Sequence, residues 1–179
     1  MRWSITGLAL LGCLTATPVW AAVTLTTSIS NSSSPNLGKI VSGSGGTLTT
    51  FTISPSGAVS ASGGNAVRLL GAASVTTPTL SVTCTAGCGS TSKVTVTFSN
   101  VSSSGGRTGT ITAFTGQLST GSATVSSNNS IITITPSGGH FATNQVVTIN
   151  IGMSIQFNNS GAGLGAPTAI SYTVTSTAS

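Results

Sequence analysis

The stretch Val146-Val-Thr-Ile-Asn-Ile-Gly-Met-Ser-Ile-Gln-Phe157 decides the fold class of this chain. From Val147 to Phe157 every second residue is apolar, and small or polar residues stand between them. A period of two is typical of a β-strand that buries one face and exposes the other. This stretch therefore predicts a long strand with one side in a hydrophobic core.

Shorter segments on both sides of this stretch show the same strand-like composition, and Gly, Pro, Ser and Asn clusters separate them. No stretch of good helix formers stands at helical spacing, and many short strands with frequent turns favour an all-β sandwich. The predicted strands are Val23–Ile29, Thr47–Ile53, Thr79–Cys84, Lys93–Phe98, Gly109–Phe114, Ser122–Val125, Ile131–Thr135, Val146–Phe157 and Ile170–Thr175.

The composition excludes most enzyme chemistry. The 179 residues contain five Lys+Arg, one His and no Asp or Glu. Without side-chain carboxylates there is no Asp/Glu acid or base, no Ser-His-Asp triad and no acidic Mg²⁺ or Ca²⁺ site. The lone His140, after two glycines, has no carboxylate to orient it and is expected to be a surface residue. We expect no enzyme, no catalytic residues, no metal and no cofactor.

The basic residues are scattered along the chain. The formal net charge is +5, and after the leader the cations are Lys39, Arg68, Lys93 and Arg107. Nucleic-acid binding needs clustered Lys and Arg, often interleaved with aromatic side chains. We therefore expect four solvated charges and no nucleic-acid partner.

The first residues have the features of an export signal. Arg2 gives a positive start, an apolar run follows from Ile5 to Ala16, and Val19-Trp-Ala21 suits cleavage after Ala21. The run is too short for a permanent membrane span. A lipid anchor at Cys13 is the minor alternative. The sequence thus predicts a secreted protein that reaches the cell surface through the periplasm.

The two cysteines after the leader, Cys84 and Cys88, enclose three residues that include Gly87. One His and no further thiol could not complete a metal site around them. In an oxidising compartment a disulfide across a tight turn is expected. Closing so short a loop stabilises a fold by about 2 kcal/mol in the chain-entropy model. We expect the bond to fix the end of a hairpin.

The chain divides into three predicted parts: a signal peptide at 1–21, an N-terminal strand with a linker at 22–36, and a sandwich domain at 37–179. In the strand, Val23, Leu25 and Ile29 are apolar at odd positions, and a Ser/Asn-rich segment follows. A tethered strand of this kind is suited to complete the sheet of a neighbouring subunit, as a donor strand. The alternative is that it pairs within its own sandwich.

Four segments carry a family resemblance, and together they cover the chain from Leu37 to Thr175. They are Leu37–Gly57, Gly63–Leu70, Gln145–Phe157 and Ser171–Thr175. In these segments the chain resembles the exported bacterial domain-of-unknown-function 4402 family, which is related in style to spore coat U-like proteins and archaic chaperone–usher pilus subunits. The resemblance implies an immunoglobulin-like antiparallel β-sandwich and no catalytic residues.

These observations predict a non-enzymatic structural or adhesive subunit of a pilus-like filament or coat. Its partners would be copies of itself or related subunits, with a periplasmic chaperone and usher as assembly factors. The alternative is a monomeric exported binding module for a glycan or a surface protein, and a coat-like aggregate former is a third class. An ice-binding face is another reading of the Thr-x-Thr patterns at 95–97 and 133–135, although ordinary solvent-facing strands give the same pattern.

Three local expectations complete the sequence analysis. Met153 is expected in the core, and Phe98, Phe114, Phe141, Phe157 and Tyr172 are expected in the core or as cross-strand partners. The similar segments Thr52–Gly57 and Thr133–Gly138 are expected to end in one type of turn, with Pro in its second position. The Ser-Thr-Ala-Ser end is expected to be a loose tail.

Overall fold

A computed structural model describes residues 22–31, 37–38, 40–41, 48–69, 73–104, 109–157 and 169–179. Antiparallel strands make up nearly all of the regular structure, and their sheets pack against one another. The predicted all-β antiparallel sandwich is confirmed. The predicted leader at 1–21 with Cys13, the predicted linker at 32–36, and Lys39 and Arg107 lie outside the described residues.

The described residues form twelve strands and one 3-10 turn, at Cys88–Ser90. The strands are β1 (Thr24–Ser30), β2 (Ile40–Val41), β3 (Thr49–Ile53), β4 (Val59–Gly63), β5 (Val67–Arg68), β6 (Thr79–Ala86), β7 (Val94–Ser104), β8 (Gly109–Thr120), β9 (Ala123–Asn128), β10 (Ile131–Pro136), β11 (Val146–Phe157) and β12 (Ala169–Ala178).

Strand β11 is the centre of the larger, six-stranded sheet. One of its edges pairs with β8 from Thr148 to Phe157. Its other edge pairs with β6 in the first half and with β3 in the second half. Strand β1 continues the sheet beyond β6, and β4 continues it beyond β3. The sequence stretch that predicts the fold is thus the strand that most of this sheet is built on.

The smaller sheet has four strands in the order β12-β7-β10-β9, and β2 and β5 form a separate two-stranded ribbon. The inward side chains of both sheets make one hydrophobic core, because strand residues alternate between core and solvent. Core residues contributed by β11 are Val147, Ile149, Ile151, Met153, Ile155 and Phe157; those contributed by the smaller sheet include Val94, Val96, Phe98, Ile132 and Ile134.

Gly152 stands on the outer side of β11, where the chain leaving β3 crosses it closely. A Cβ atom at this position would lie 2.8 Å from the backbone nitrogen of Pro55 and would collide with the carbonyl oxygen of Ile53. Only glycine allows two backbones to come this near each other. The glycine therefore maintains the register between β11 and the end of β3.

Some strands differ from the prediction in length or existence. The strands β6, β7, β8, β9 and β12 run further than the sequence predicts, and the sequence does not predict β2, β4 and β5. Two-residue strands carry no period, and β4 reads Val-Ser-Ala-Ser-Gly with four exposed residues. Strand β8 continues through Gly116, where a Cβ would lie 3.0 Å from the side chains of Ile132 and Val125. This glycine is a packing position inside β8, whereas the predicted strand ends at Phe114.

The prediction of one shared turn type is wrong. In the first segment Gly57 donates to the carbonyl of Ser54 at 2.8 Å, and Pro55 is the second residue of the turn, as expected. In the second, Gly139 donates to the carbonyl of Pro136 at 3.2 Å, so the proline is the first residue of its turn. Pro136 is also the last residue of β10, opposite Ala123 of β9. Because the ladder between β9 and β10 includes Pro136, this turn begins at the proline itself and not at the residue before it.

Candidate assembly edge

The predicted donor segment forms β1 at an edge of the six-stranded sheet. It pairs antiparallel with β6 of its own chain, from Thr24 opposite Ala86 to Ser30 opposite Thr79. Leu25 and Ile29 are half-buried and pack against the core, whereas Val23 precedes the strand and is 38% exposed. The structure therefore brings two of the three predicted residues together on one inward face.

The contacts that hold β1 are mostly backbone bonds to one neighbouring strand. Side-chain bonds add little: Thr85 donates to the carbonyl of Thr24 at 3.3 Å, and Ser30 donates to that of Thr79 at 3.4 Å. On its other side the Oγ1 atom of Thr27 lies 2.5 Å from the Oγ atom of Ser176 in β12. Strand β1 thus lies at the seam between the two sheets.

The depth of burial separates β1 from the strands around it. Its residues alternate between exposed and half-buried, and none is fully buried. In the neighbouring β6, Leu80, Val82 and Cys84 are completely buried. The core strands therefore keep much of their packing without β1, while β1 leaves an uncovered backbone edge on β6 when it departs.

Cys84 and Cys88 form a disulfide, with the two sulfur atoms 2.08 Å apart. Gly87 supplies the left-handed backbone conformation that the short loop requires, with φ of 65°. The expected position at a hairpin end is wrong, because β6 belongs to the larger sheet and the next strand, β7, belongs to the smaller one. Both cysteines are buried, so the bond fixes a crossover between the sheets.

Arg68 is not the solvated charge that the sequence predicts. Its side chain is 5% exposed, and its Nε atom donates to the carbonyl of Leu37 at 2.7 Å. Its Nη1 atom donates to the carbonyl of Ala73 at 2.5 Å. Burial lowers the pKa of the guanidinium from its usual value, because desolvation penalises the charged form. This arginine ties β5 to the segments on both sides of it, while Lys93 is exposed as expected.

A cavity of about 290 Å³ lies between β4 and β5. Its walls are mostly apolar, and Arg68 contributes to them. Sequence reasoning missed this feature, because it depends on the approach of two strands too short to show a period. The lining residues are Phe51, Val59, Ser60, Ala61, Ala66, Val67 and Arg68.

The other singled-out side chains are structural or exposed. His140 is exposed, and Met153 and all five phenylalanines are buried. The ring of Tyr172 meets those of Phe98 and Phe114 edge to face, at 5.6 and 5.5 Å between centroids. Burial raises the pKa of Tyr172 to about 12. Its hydroxyl has no hydrogen-bond partner among the described residues.

The end of the chain is ordered into the fold. The backbone nitrogens of Ser92 and Lys93 donate to the carbonyl oxygen of Ser179 at 2.8 and 2.9 Å, and Ser179 donates back to Lys93. The expectation of a loose tail is therefore wrong.

Among the described residues no three His, Cys, Asp or Glu side chains come together as a metal site. The same part of the chain includes no helix of a length and hydropathy that would cross a membrane.

Comparisons with protein-family models, with curated proteins and with solved structures find no match for this chain. The family resemblance read from the sequence therefore stays a prediction. The class that the fold itself defines is an all-β antiparallel sandwich with an N-terminal edge strand.

Proposed function

We propose that this protein is a non-enzymatic subunit of an exported surface filament or coat, in which β1 of one copy pairs with β6 of the next. The observation that carries the proposal is the position of β1. It is the first described strand, it lies at a sheet edge, and Leu25 and Ile29 are its hydrophobic contacts with the core. A Ser/Asn/Pro-rich segment at 31–36 separates it from the rest of the domain.

Exchange of β1 between copies conserves its contacts. The ladder from Thr24 to Ser30 and the packing of Leu25 and Ile29 would be the same with a second copy's β6. The balance between the closed monomer and the exchanged chain then depends on effective concentration, on the order of millimolar for a short flexible tether. A periplasmic chaperone and usher would favour exchange by holding the β6 edge open until the next subunit arrives.

Head-to-tail exchange also accounts for a filament as the product. Each copy would give one strand and receive one, through two different surfaces. Such a heterologous contact grows into an open chain wherever the rotation between copies does not close a ring. Export and a surface location rest on the predicted leader at 1–21.

A paired-cysteine experiment tests this exchange directly. Ser28 of β1 and Ser81 of β6 are directly opposite each other, so the variant S28C/S81C is expected to oxidise across this pair. In assembled material we expect a ladder of covalent multimers on a denaturing, non-reducing gel. The matched control is S81C/T148C, which joins β6 to β11 inside one domain, where the Oγ atoms of the native residues lie 3.3 Å apart. It should give monomers only.

Deletion of residues 22–30 provides the second test. The shortened chain should remain folded or partly stable, because its deepest core residues lie elsewhere, and it should no longer form filaments in negative-stain micrographs. If the deletion variant polymerises as well as the parent, or if S28C/S81C yields monomers from assembled material, the donor role of β1 is wrong.

The cavity beside β4 favours a second candidate, a monomeric exported binding module. Its apolar walls and the adjoining Arg68 are suited to a small ligand or to a side chain of a partner protein. Sedimentation across a wide concentration range separates the two candidates. A protein that stays monomeric at high concentration, with and without assembly factors, supports the binding module.

A further inference from the structure

The outer face of the smaller sheet is an ordered array of hydroxyl groups. In β7 the side chains of Val94, Val96 and Phe98 are buried, so Thr95, Thr97 and Ser99 face outward. The same alternation turns the odd-numbered residues of β10, those of β12 from Ser171 onward, and the even-numbered residues of β9 outward. The two Thr-x-Thr patterns of the sequence therefore share one surface.

Strand register aligns these residues in rows across the sheet. Thr95 is opposite Thr133 on one side and Thr177 on the other, and Thr133 is opposite Ser126. The next row places Thr97 between Thr175 and Ile131. The outward set is Thr95, Thr97, Ser99, Thr124, Ser126, Asn128, Ile131, Thr133, Thr135, Ser171, Thr173, Thr175 and Thr177.

The sheet gives the array a regular repeat from Thr173 to Thr177 of β12, and the register with β7 shifts between Thr173 and Ser171. Neighbouring strands lie about 4.8 Å apart, and residues two apart on a strand lie about 6.7 Å apart. Threonine is stiff about χ1, so its methyl and hydroxyl groups keep their directions without much further loss of entropy. The outward set contains no charged residue. A charge would organise water around itself and interrupt a regular hydration layer.

The outer face of the larger sheet is also uncharged, but its polar side chains bond to each other on β6 and β11. Ser81 lies 3.3 Å from Thr148, and Thr79 donates to Asn150 at 3.3 Å. These groups are therefore already partnered within the sheet.

We propose that the threonine face of the smaller sheet binds ice. The partner is the surface of crystalline water, which is uncharged, periodic and able to donate and accept hydrogen bonds at every site. Rows of methyl and hydroxyl groups at a constant repeat hold a layer of water in register with such a crystal. Ice binding by this face does not require strand exchange at β1, so ice binding and filament assembly can be tested independently.

The experiment measures thermal hysteresis and inhibition of ice recrystallisation with the purified protein. The variant T175K places a long charged side chain in the array on the edge strand β12, and T110K makes the same change at an exposed threonine of β8 in the other sheet. We expect T175K to abolish both activities and T110K to retain them. The double variant T95V/T133V, which keeps shape and strand propensity, should weaken them, and urea midpoints establish that each variant is folded.

Three results would overturn the proposal. The first is a parent protein with neither hysteresis nor recrystallisation inhibition. The second is equal loss of activity in T110K and T175K, or full activity in a folded T95V/T133V. The third is retention on crystalline cellulose or chitin without any effect on ice, which identifies a polysaccharide as the partner of this face.

Discussion

Two isoleucines flank the same leucine, but they differ in how deeply they are buried. Ile29 of β1 and Ile149 of β11 are both directly opposite Leu80 of β6, one on each side. Ile149 is fully buried, whereas Ile29 is half-buried at the edge of the sheet. Both come from stretches with the same period of two. The period thus reports which face of a strand is inward, and the position in the sheet determines how much free energy that face contributes.

The largest expected effect follows from the inner member of this pair. I149A removes most of a fully buried side chain, whose cross-strand neighbours are Leu118 of β8 and Leu80 of β6. Such substitutions lower the free energy of unfolding by about 2 to 5 kcal/mol. Urea denaturation measures the loss. A loss below that for I29A would contradict the central place given to β11.

The disulfide variant C84S/C88S is next in size. The bond lies at the crossover that leaves β6, so its removal should lower the free energy of unfolding by about 2 kcal/mol and keep the fold intact. Denaturant midpoints of parent and variant measure this, and mass spectrometry after alkylation, with and without reduction, establishes the native oxidation state. Two freely alkylated thiols in native protein would show that the bond does not form.

The outer member of the pair gives a smaller effect. I29A removes a side chain that is only half-buried, so we expect a loss of about 1 kcal/mol in the free energy of unfolding. The same variant should weaken filaments more than monomers, because every junction between subunits would include the altered strand. An unchanged filament stability, measured by depolymerisation in urea, argues against the exchange of β1.

Alkaline pH tests the burial of Tyr172 in β12, the strand that meets β1 at the seam between the two sheets. The pKa of Tyr172 is raised by burial from 10.0 to about 12, so the folded state retains a proton that the unfolded state loses. This contribution is fully present below pH 10 and is lost as the pH rises towards 12. Urea midpoints across this range should fall less steeply in Y172F. An identical pH profile would place the alkaline titration elsewhere.

Acid should have the smallest effect of all. The chain has no Asp or Glu, and acid denaturation works mainly through carboxylates whose native pKa values lie below their unfolded ones. We expect urea midpoints to be almost flat between about pH 2 and pH 6. A steep fall below about pH 4 would contradict this expectation. The hydrogen bonds of Ser179 with Ser92 and Lys93 would then be the first contacts to test by substitution.

The sequence by itself determined the fold class, the long central strand and the tight Cys84–Cys88 loop. These features are local: a period of two extends over one strand, and a disulfide across three residues needs no partner elsewhere in the chain. The absence of Asp and Glu also excluded catalysis by side-chain carboxylates, because that conclusion needs only the composition.

Only the tertiary structure decided where each strand lies and therefore what each residue does. It placed β1 at an edge beside β6, buried Arg68 on backbone carbonyls, and aligned Thr95 with Thr133 and Thr177. These relations join residues far apart in sequence. A strand's own pattern specifies its two faces but not its neighbours or its register, which depend on how all the inward faces fill one core.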